Sequence, residues 1–235
     1  GTYFNRLSHC VIRDNTGYGA LFRFATRVDN TLVADNGSAG VYVDGWNCNE
    51  EANSWAKCGI SLVNVTMTGN TYGYCQTATS YSSYQYFANC IFEGNSVAGI
   101  QASNNAKLYS CDFWNNNGTD VKAANSTPVL TDARYEDPLL DTTAKLRGRL
   151  LANSPCAQTG VNLADAVTTM PEAFASDLDY VKRIADKIDL GCYDSPETLD
   201  DLAGDGYHIL AVSGSPDGYG TPSPDYGRNL LKDGP

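Results

Sequence analysis

Glu93 and Asp112 fall at positions that a repeating chain would set on neighbouring turns, and a pair of carboxylates is the minimum equipment for glycoside hydrolysis. One member would serve as acid and the other as base or nucleophile, with Arg13, in the same column as Glu93, as a further candidate base. Asp14 and Asp35 offer hard oxygen ligands of the kind Ca2+ takes. Seven aromatic residues, Trp46, Trp55, Tyr72, Tyr74, Tyr81, Tyr84 and Tyr86, crowd two short stretches. Exposed rings of this kind stack on the apolar faces of sugars, so these seven are the candidate glycan-binding residues. The chain has two histidines, His9 and His208, too few to expect a His-based triad or a His-rich metal site. No glycine-rich phosphate loop leading into a helix occurs.

These residues are positioned by a frame that the chain writes five times, headed by Asn15, Asn36, Asn70, Asn95 and Asn116. Eight residues before each Asn stand Leu7, Val28, Leu62, Phe87 and Leu108; five before, Cys10, Thr31, Val65, Cys90 and Cys111. Three before stand Ile12, Val33, Met67, Phe92 and Phe113, and five after, Ala20, Val41, Cys75, Ile100 and Val121. Gly19, Gly40 and Gly99 precede the last column in three of the five units. The marker moves by 21, 34, 25 and 21 residues, a base period of 21 with insertions, which is the mark of a solenoid.

Apolar residues two apart, such as Cys90 and Phe92, demand a strand. The extra residue before them reads His9, Asn30, Asn64, Asn89 and Ser110, a column suited to a left-handed bend. Each unit is then strand, bend, strand, Asn corner, Gly and a third strand, which predicts an all-β, right-handed parallel β-helix of about five to six coils. Stacked Asn amides carry both donors and acceptors, so two Asn ladders are expected, one at the marker and one at the bend. A leucine-rich repeat has a similar period, but its leucine-dense consensus is missing; helical repeats are excluded by the two-residue alternation.

The expected organisation is coils over 1–124 with insertions at 44–59 and 76–85, a terminal coil and cap over 125–194, and an acidic linker with a strand-like tail over 195–235. The net charge of −11, from 27 acidic and 16 basic residues, leaves no basic stripe for nucleic acid. No apolar run is long enough to span a membrane, and no signal peptide is present. The start at Gly1, entering the first coil within six residues, reads as a mature or excised fragment whose coil ends face further coils or another chain. Eight cysteines with few lysines suggest a secreted or surface protein, and a disulfide between Cys48 and Cys58 would close the first insertion. Cys90 and Cys111, vertical neighbours in one inward column, are expected as reduced thiols.

Beyond Val121 a different pattern begins. Asp137-Pro138-Leu139, Leu150, Ser154-Pro155, Gly160, Asp177, Asp179, Arg183, Ile188-Asp189-Leu190-Gly191 and Tyr193 together resemble the conserved end of bacterial right-handed β-helix surface proteins of the choice-of-anchor Q type. That resemblance implies a surface or secreted repeat scaffold and, for these residues, a cap that buries Leu139, Leu150, Ile184, Ile188 and Leu190 over the last coil. The family usually has Ala where this chain has Cys156 and Cys192, which implies that the two motifs touch and that these cysteines pair. A short helix is expected around Pro171 to Ala175. In a bacterial surface protein the sequons at Asn64, Asn117 and Asn125 would carry no glycan. Tyr207 to Val212 reads as a strand that opens a further β module, joins its own helix or joins a neighbouring subunit.

The function expected from the sequence is therefore a non-enzymatic, extracellular or cell-surface structural or adhesive module, glycan-binding and able to self-associate at its ends, with no cofactor beyond an optional Ca2+. The alternative is a polysaccharide lyase or glycoside hydrolase with its groove on the strand face, since parallel β-helices that cleave polysaccharides use clustered Asp residues or Ca2+ with an Arg or Lys base on that face.

Overall fold

The alternation of apolar side chains around a bend repeats closely enough for every coil to hydrogen-bond to the next. In a computed structural model of the chain the described residues are 5–23, 26–44, 59–77, 85–102, 106–123, 127–143, 147–167, 170–198, 207–212 and 227–232. The strands, in chain order, are β1 (Asn5–Ser8), β2 (Val11–Arg13), β3 (Ala20–Phe22), β4 (Thr26–Ala34), β5 (Ala39–Val43), β6 (Ile60–Thr68), β7 (Tyr72–Gln76), β8 (Gln85–Ala88), β9 (Ile91–Glu93), β10 (Ala98–Ala102), β11 (Ala106–Tyr109), β12 (Asp112–Trp114), β13 (Thr119–Ala123) and β14 (Val129–Thr131). One sheet stacks β1-β4-β6-β8-β11-β14, with β2, β9 and β12 continuing its rungs past the bend; the other stacks β13-β10-β7-β5-β3. All pairings within these two sheets are parallel.

The bend column is left-handed in every coil, with φ of 50° at His9, 43° at Asn30, 54° at Asn64, 52° at Asn89 and 46° at Ser110. Each bend turns the chain without breaking the ladder and lets Val28, Leu62, Phe87 and Leu108 on one arm meet Val65, Cys90, Val33, Met67, Phe92 and Phe113 on the other in one buried core. Phe92 and Phe113 stack face to face at 5.1 Å between ring centres, as equivalent residues of consecutive coils must.

The marker asparagines form the expected ladder. Nδ2 donates to Oδ1 of the next coil at 2.8 Å from Asn15 to Asn36, 2.8 Å from Asn36 to Asn70, 3.3 Å from Asn70 to Asn95 and 2.9 Å from Asn95 to Asn116. The glycine column lies directly over it. A Cβ on Gly73 would sit 2.5 Å from the Gly99 carbonyl oxygen and 3.3 Å from the Asn95 amide nitrogen, so only glycine lets the coils close here. Gly73 extends this column to a fourth coil, and the register moves one inward position: Val41 pairs with Tyr74, not Cys75. The corner after Asn70 is one residue shorter than the others, which turns Tyr74 inward and Cys75 outward.

The second ladder forms a single rung, Asn89 Nδ2 to Asn64 Oδ1 at 3.0 Å. Its remaining capacity is spent on the C-terminal segment: Asn30 and Asn64 donate to the Ala173 carbonyl at 3.0 and 2.6 Å, and Asn89 exchanges hydrogen bonds with the Val161 backbone. That segment does not close the end of the stack. It runs along the outer flank of the larger sheet, where Leu178, Cys192 and Tyr193 cover Leu32 and Ala34, Leu150, Cys156 and Leu190 cover Ile91, and Val167, Met170, Phe174 and Ile188 cover Val63, Tyr86 and Ala88. Leu150, Ile188 and Leu190 are buried as expected, but Leu139 and Ile184 stay half-exposed, because the surface being covered is a flank and not a terminal coil. The expected helix near Pro171 is a single 3-10 turn, Pro171–Phe174. In the tail, β15 (Tyr207–Val212) pairs antiparallel with β16 (Gly227–Lys232), so that strand finds its partner within the tail itself. No helix among the described residues is long and apolar enough to cross a membrane.

Candidate functional site

The face that could hold a polymer is the outward side of β2, β4, β6, β9 and β12, and the register places each candidate on it. Val11 pairs with Leu32, Leu32 with Thr66, Thr66 with Ile91 and Ile91 with Asp112. Two residues on, Arg13, Ala34, Thr68, Glu93 and Trp114 form the adjacent column. Glu93 and Asp112 are thus on neighbouring rungs in different columns, while Arg13 is three rungs from Glu93.

Their surroundings separate them further. Asp112 is fully buried under the flanking segment, where Oδ1 accepts from the Glu136 N–H at 3.2 Å and the Cys156 thiol lies alongside. Burial pushes its carboxyl up to about 6, partly offset by that backbone donor. Glu93 is half-exposed and accepts the Thr68 hydroxyl. Arg13 pairs with the exposed Asp14 at 3.3 Å. The expected carboxylate pair is therefore divided between a buried and an open setting, and the middle of the face, Leu32, Thr66 and Ile91, is covered.

Asp14 and Asp35 occupy the corner column together with Gly69, Gly94 and Asn115, all left-handed at φ between 52° and 67°. Asp and Asn tolerate this conformation, which accounts for their presence there without a ligand. Asp35 is bound to Arg147 Nη2 at 2.7 Å. Among the described residues no three His, Cys, Asp or Glu side chains gather into one group that could hold a metal ion.

The aromatic candidates divide three ways. Trp46, Trp55, Tyr81 and Tyr84 lie outside the described residues. Tyr74 and Tyr86 are buried, the first in the solenoid core and the second under the flank, and neither can stack on a sugar. Tyr72 is half-exposed. The sequence reading passed over Tyr18 and Tyr42, whose rings stack 4.5 Å apart on the outside of the second sheet. Tyr18 is 43% exposed, and Tyr42 Oη is 2.7 Å from the Thr77 hydroxyl. Alternation from the inward Val41 and Val43 places Tyr42 outside, the signal that could have found it.

Cys48 and Cys58 lie outside the described residues. Cys156 and Cys192 are free thiols in separate apolar clusters, Cys156 against Ile91 and Leu190, Cys192 against Leu32 and Tyr193. The two motifs touch as implied, the Leu190 N–H donating to the Cys156 carbonyl at 3.0 Å, but the implied bridge is absent because the two side chains pack in different clusters on the solenoid wall. Burial pushes the Cys192 thiol up to about 12 and the Cys156 thiol higher still, so both are inert. Cys90 and Cys111 are likewise free.

The acidic hallmark residues build a buried node. Asp177 accepts from the Asp179, Val181 and Asp194 amides, and Asp189 from Gln158, Ser195 and Thr198. Arg183, fully buried between them, donates to Asp194 Oδ1 at 2.8 Å and to the Gly191 carbonyl at 3.0 Å. These groups hold the flank's turns; they are arranged to bind backbone and not a substrate.

A family model described as right handed beta helix region matches residues 1–136, more than half of the chain. Comparison with curated proteins and with solved structures gives no match. With the parallel rungs, the left-handed bends and the Asn ladder in place, the chain belongs to the right-handed β-helix family.

Proposed function

We propose that the chain is a structural and adhesive module of an extracellular or cell-surface protein, holding a glycan on the outside of its second sheet, and is not a polysaccharide lyase or glycoside hydrolase. The observation that carries this reading is the coverage of the strand face: Leu32, Thr66, Ile91 and Asp112 are all buried beneath residues 147–198. A polymer laid across the rungs would have to displace that segment. The second sheet supports the adhesive half of the proposal, since Tyr18, Tyr42 and the 47% exposed Leu21 form an open platform of the type that stacks on sugar rings. The likeness of residues 136–194 to surface repeat proteins supports the extracellular setting. Half-exposed Leu7 and Phe22 on the first coil, and 38% exposed Leu130 at the far end, favour association through the ends of the stack.

The test is incubation with polygalacturonate, alginate and xylan, following sedimentation with the polymer and release of reducing or unsaturated ends. Binding without cleavage, weakened about tenfold by Tyr42→Ala, is expected, each stacked ring contributing about 1 kcal/mol. Cleavage that disappears in Asp112→Ala would restore the enzyme reading.

A further inference from the structure

The flanking segment delivers Ser176 to the first two coils, where a chain of polar groups awaits it. Asp29, with a fully buried side chain, accepts from Ser8 Oγ at 2.5 Å and from Arg6 Nε at 3.3 Å. A serine hydroxyl has one hydrogen, and that of Ser8 is committed to Asp29. The 2.8 Å contact between Ser8 Oγ and His9 Nδ1 is therefore donated by the ring, which assigns the imidazole hydrogen to Nδ1. Nε2 is left as an acceptor, and Ser176 Oγ lies 3.2 Å from it. The donors run in one direction, from Ser176 to His9 to Ser8 to Asp29.

We propose that Ser176 is a nucleophile for acyl transfer, with His9 as its general base and Ser8 and Asp29 as positioning residues. A nucleophile bonded to a base that is itself oriented by a third group is the arrangement nucleophilic catalysis requires. The imidazole is held rather than free: its backbone sits in the left-handed bend at φ 50°, and its ring stacks on Tyr180 at 4.3 Å and 8°. Burial holds the His9 pKa below the ordinary histidine value, so at neutral pH the ring is the neutral base the role needs. Ser8, His9 and Ser176 are each half-exposed, and Tyr180 is 73% exposed at the rim, so a small ester reaches the hydroxyl from solvent. The expectation against a His-based triad or a His-rich metal site rested on the number of histidines; a single histidine suffices for a general base once the fold supplies its partners.

In the reaction Ser176 Oγ attacks the acyl carbon while its proton passes to His9 Nε2. The tetrahedral adduct collapses, the carbon–oxygen bond to the leaving alcohol breaks, and the alkoxide takes the proton back from His9. Water then attacks the acyl-serine, again losing its proton to His9, and Ser176 leaves reprotonated. The balance is ester plus water to acid plus alcohol, and the half-exposed setting suits a short acyl group. The site is independent of the glycan platform, since none of its four residues lies in β3, β5, β7, β10 or β13.

The experiment uses the full chain with a fluorophosphonate probe, mapped by peptide mass spectrometry, and with p-nitrophenyl acetate. Labelling at Ser176 in the folded protein and its loss in Ser176→Ala are expected. His9→Asn introduces the residue that Asn30, Asn64 and Asn89 place at the same bend, so the fold is retained while the base is removed. Its labelling rate should fall about 100-fold or more with the thermal midpoint unchanged. Ser8→Ala should lower kcat about tenfold or more with KM unchanged, because Ser8 orients the base and does not touch the ester. No label on Ser176 in the folded wild type, or His9→Asn reacting as fast as wild type, overturns the proposal; a Ser8→Ala effect confined to KM overturns the positioning role.

Discussion

Asn116 Nδ2 donates to Asp120 Oδ1 at 3.1 Å, and Asp120 stands in the column that the preceding coils fill with Gly19, Gly40, Gly73 and Gly99. Along the ladder each amide gives its hydrogen to the next coil, and a glycine must sit above it for the backbones to close. After Asn116 no further marker Asn follows, so the spare hydrogen goes to a carboxylate, and a side chain replaces glycine in the column. Asp120→Ala should therefore cost only about 1 kcal/mol, the worth of one half-exposed hydrogen bond. Asn70→Ala removes a fully buried amide bonded to Asn36, Asn95, Val33 and Thr68, and should cost about 3 kcal/mol or more. Chemical denaturation of both variants checks the order; equal losses would mean the ladder is not what joins the coils.

Glycine is required in this column but not at every position the chain uses it. A Cβ at Gly73 meets the Gly99 carbonyl oxygen at 2.5 Å and Phe92 Cδ1 at 2.9 Å, neither able to retreat within a packed rung, whereas one at Gly17 meets nothing within 4 Å. Gly73→Ala is expected to cost about 1–3 kcal/mol by overpacking, and Gly17→Ala to change stability by less than about 0.5 kcal/mol. Thermal midpoints of the two variants decide the point.

The columns of the solenoid could be read from the chain because strand alternation and the bend residue are local rules, met within each unit by residues such as Asn89, Cys90 and Phe92. The reading slipped at Cys75, where it counted from Asn70 across a corner one residue shorter than the rest. It also took the flank for an end cap. The signal against that was present in the outward column: Leu32 and Ile91 are apolar on a face that water would otherwise reach, and an apolar outer face needs a cover. What no local rule contains is the meeting of His9 with Ser176, which are 167 residues apart in sequence and brought together only by the path of the flank.

Asp112 gives the flank a pH dependence with a definite sign. Its carboxyl is raised to about 6 in the folded chain, above the ordinary value near 3.8 that it regains on unfolding. The folded state therefore binds the proton more tightly, and stability is lost as pH rises from about 4 to 6 and stays lost above. Asp112→Asn keeps an acceptor for the Glu136 N–H and carries no charge. It should be more stable than wild type by about 1–3 kcal/mol at pH 7.5, with the difference vanishing near pH 4. A difference that does not vary with pH would show that the carboxylate is not desolvated.

The free thiols make a chemical prediction. Cys156 and Cys192 are buried and raised far above the range in which thiolates form at neutral pH, while Cys10 is half-exposed at the first coil. Iodoacetamide applied to the native protein without reductant should alkylate Cys10 before any other of the described cysteines and reach Cys156 and Cys192 only after denaturation, with no peptide linking the last two. A linked peptide in the native digest would mean that the flank takes a different path across the rungs.

Arg183 decides whether flank and solenoid stand or fall together. Its guanidinium is the cation buried among Asp177, Asp189 and Asp194, and it also donates to the carbonyls of Gly191 and Ser176. Removing it leaves buried carboxylates without their counter-charge, a change that costs about 3–5 kcal/mol where a buried pair is broken. The damage should stay local, because the hydrogen bonds of the marker ladder run from coil to coil and none of them passes through the flank. In Arg183→Ala, hydrogen exchange should speed up at Leu178, Leu190 and Gly191, whose amides bond to Cys192, Cys156 and Asn89, while Asn70 and Asn95 keep their protection. Loss of protection at all five together would show that the flank is an integral part of each coil, and that the face beneath it is never open to a polymer.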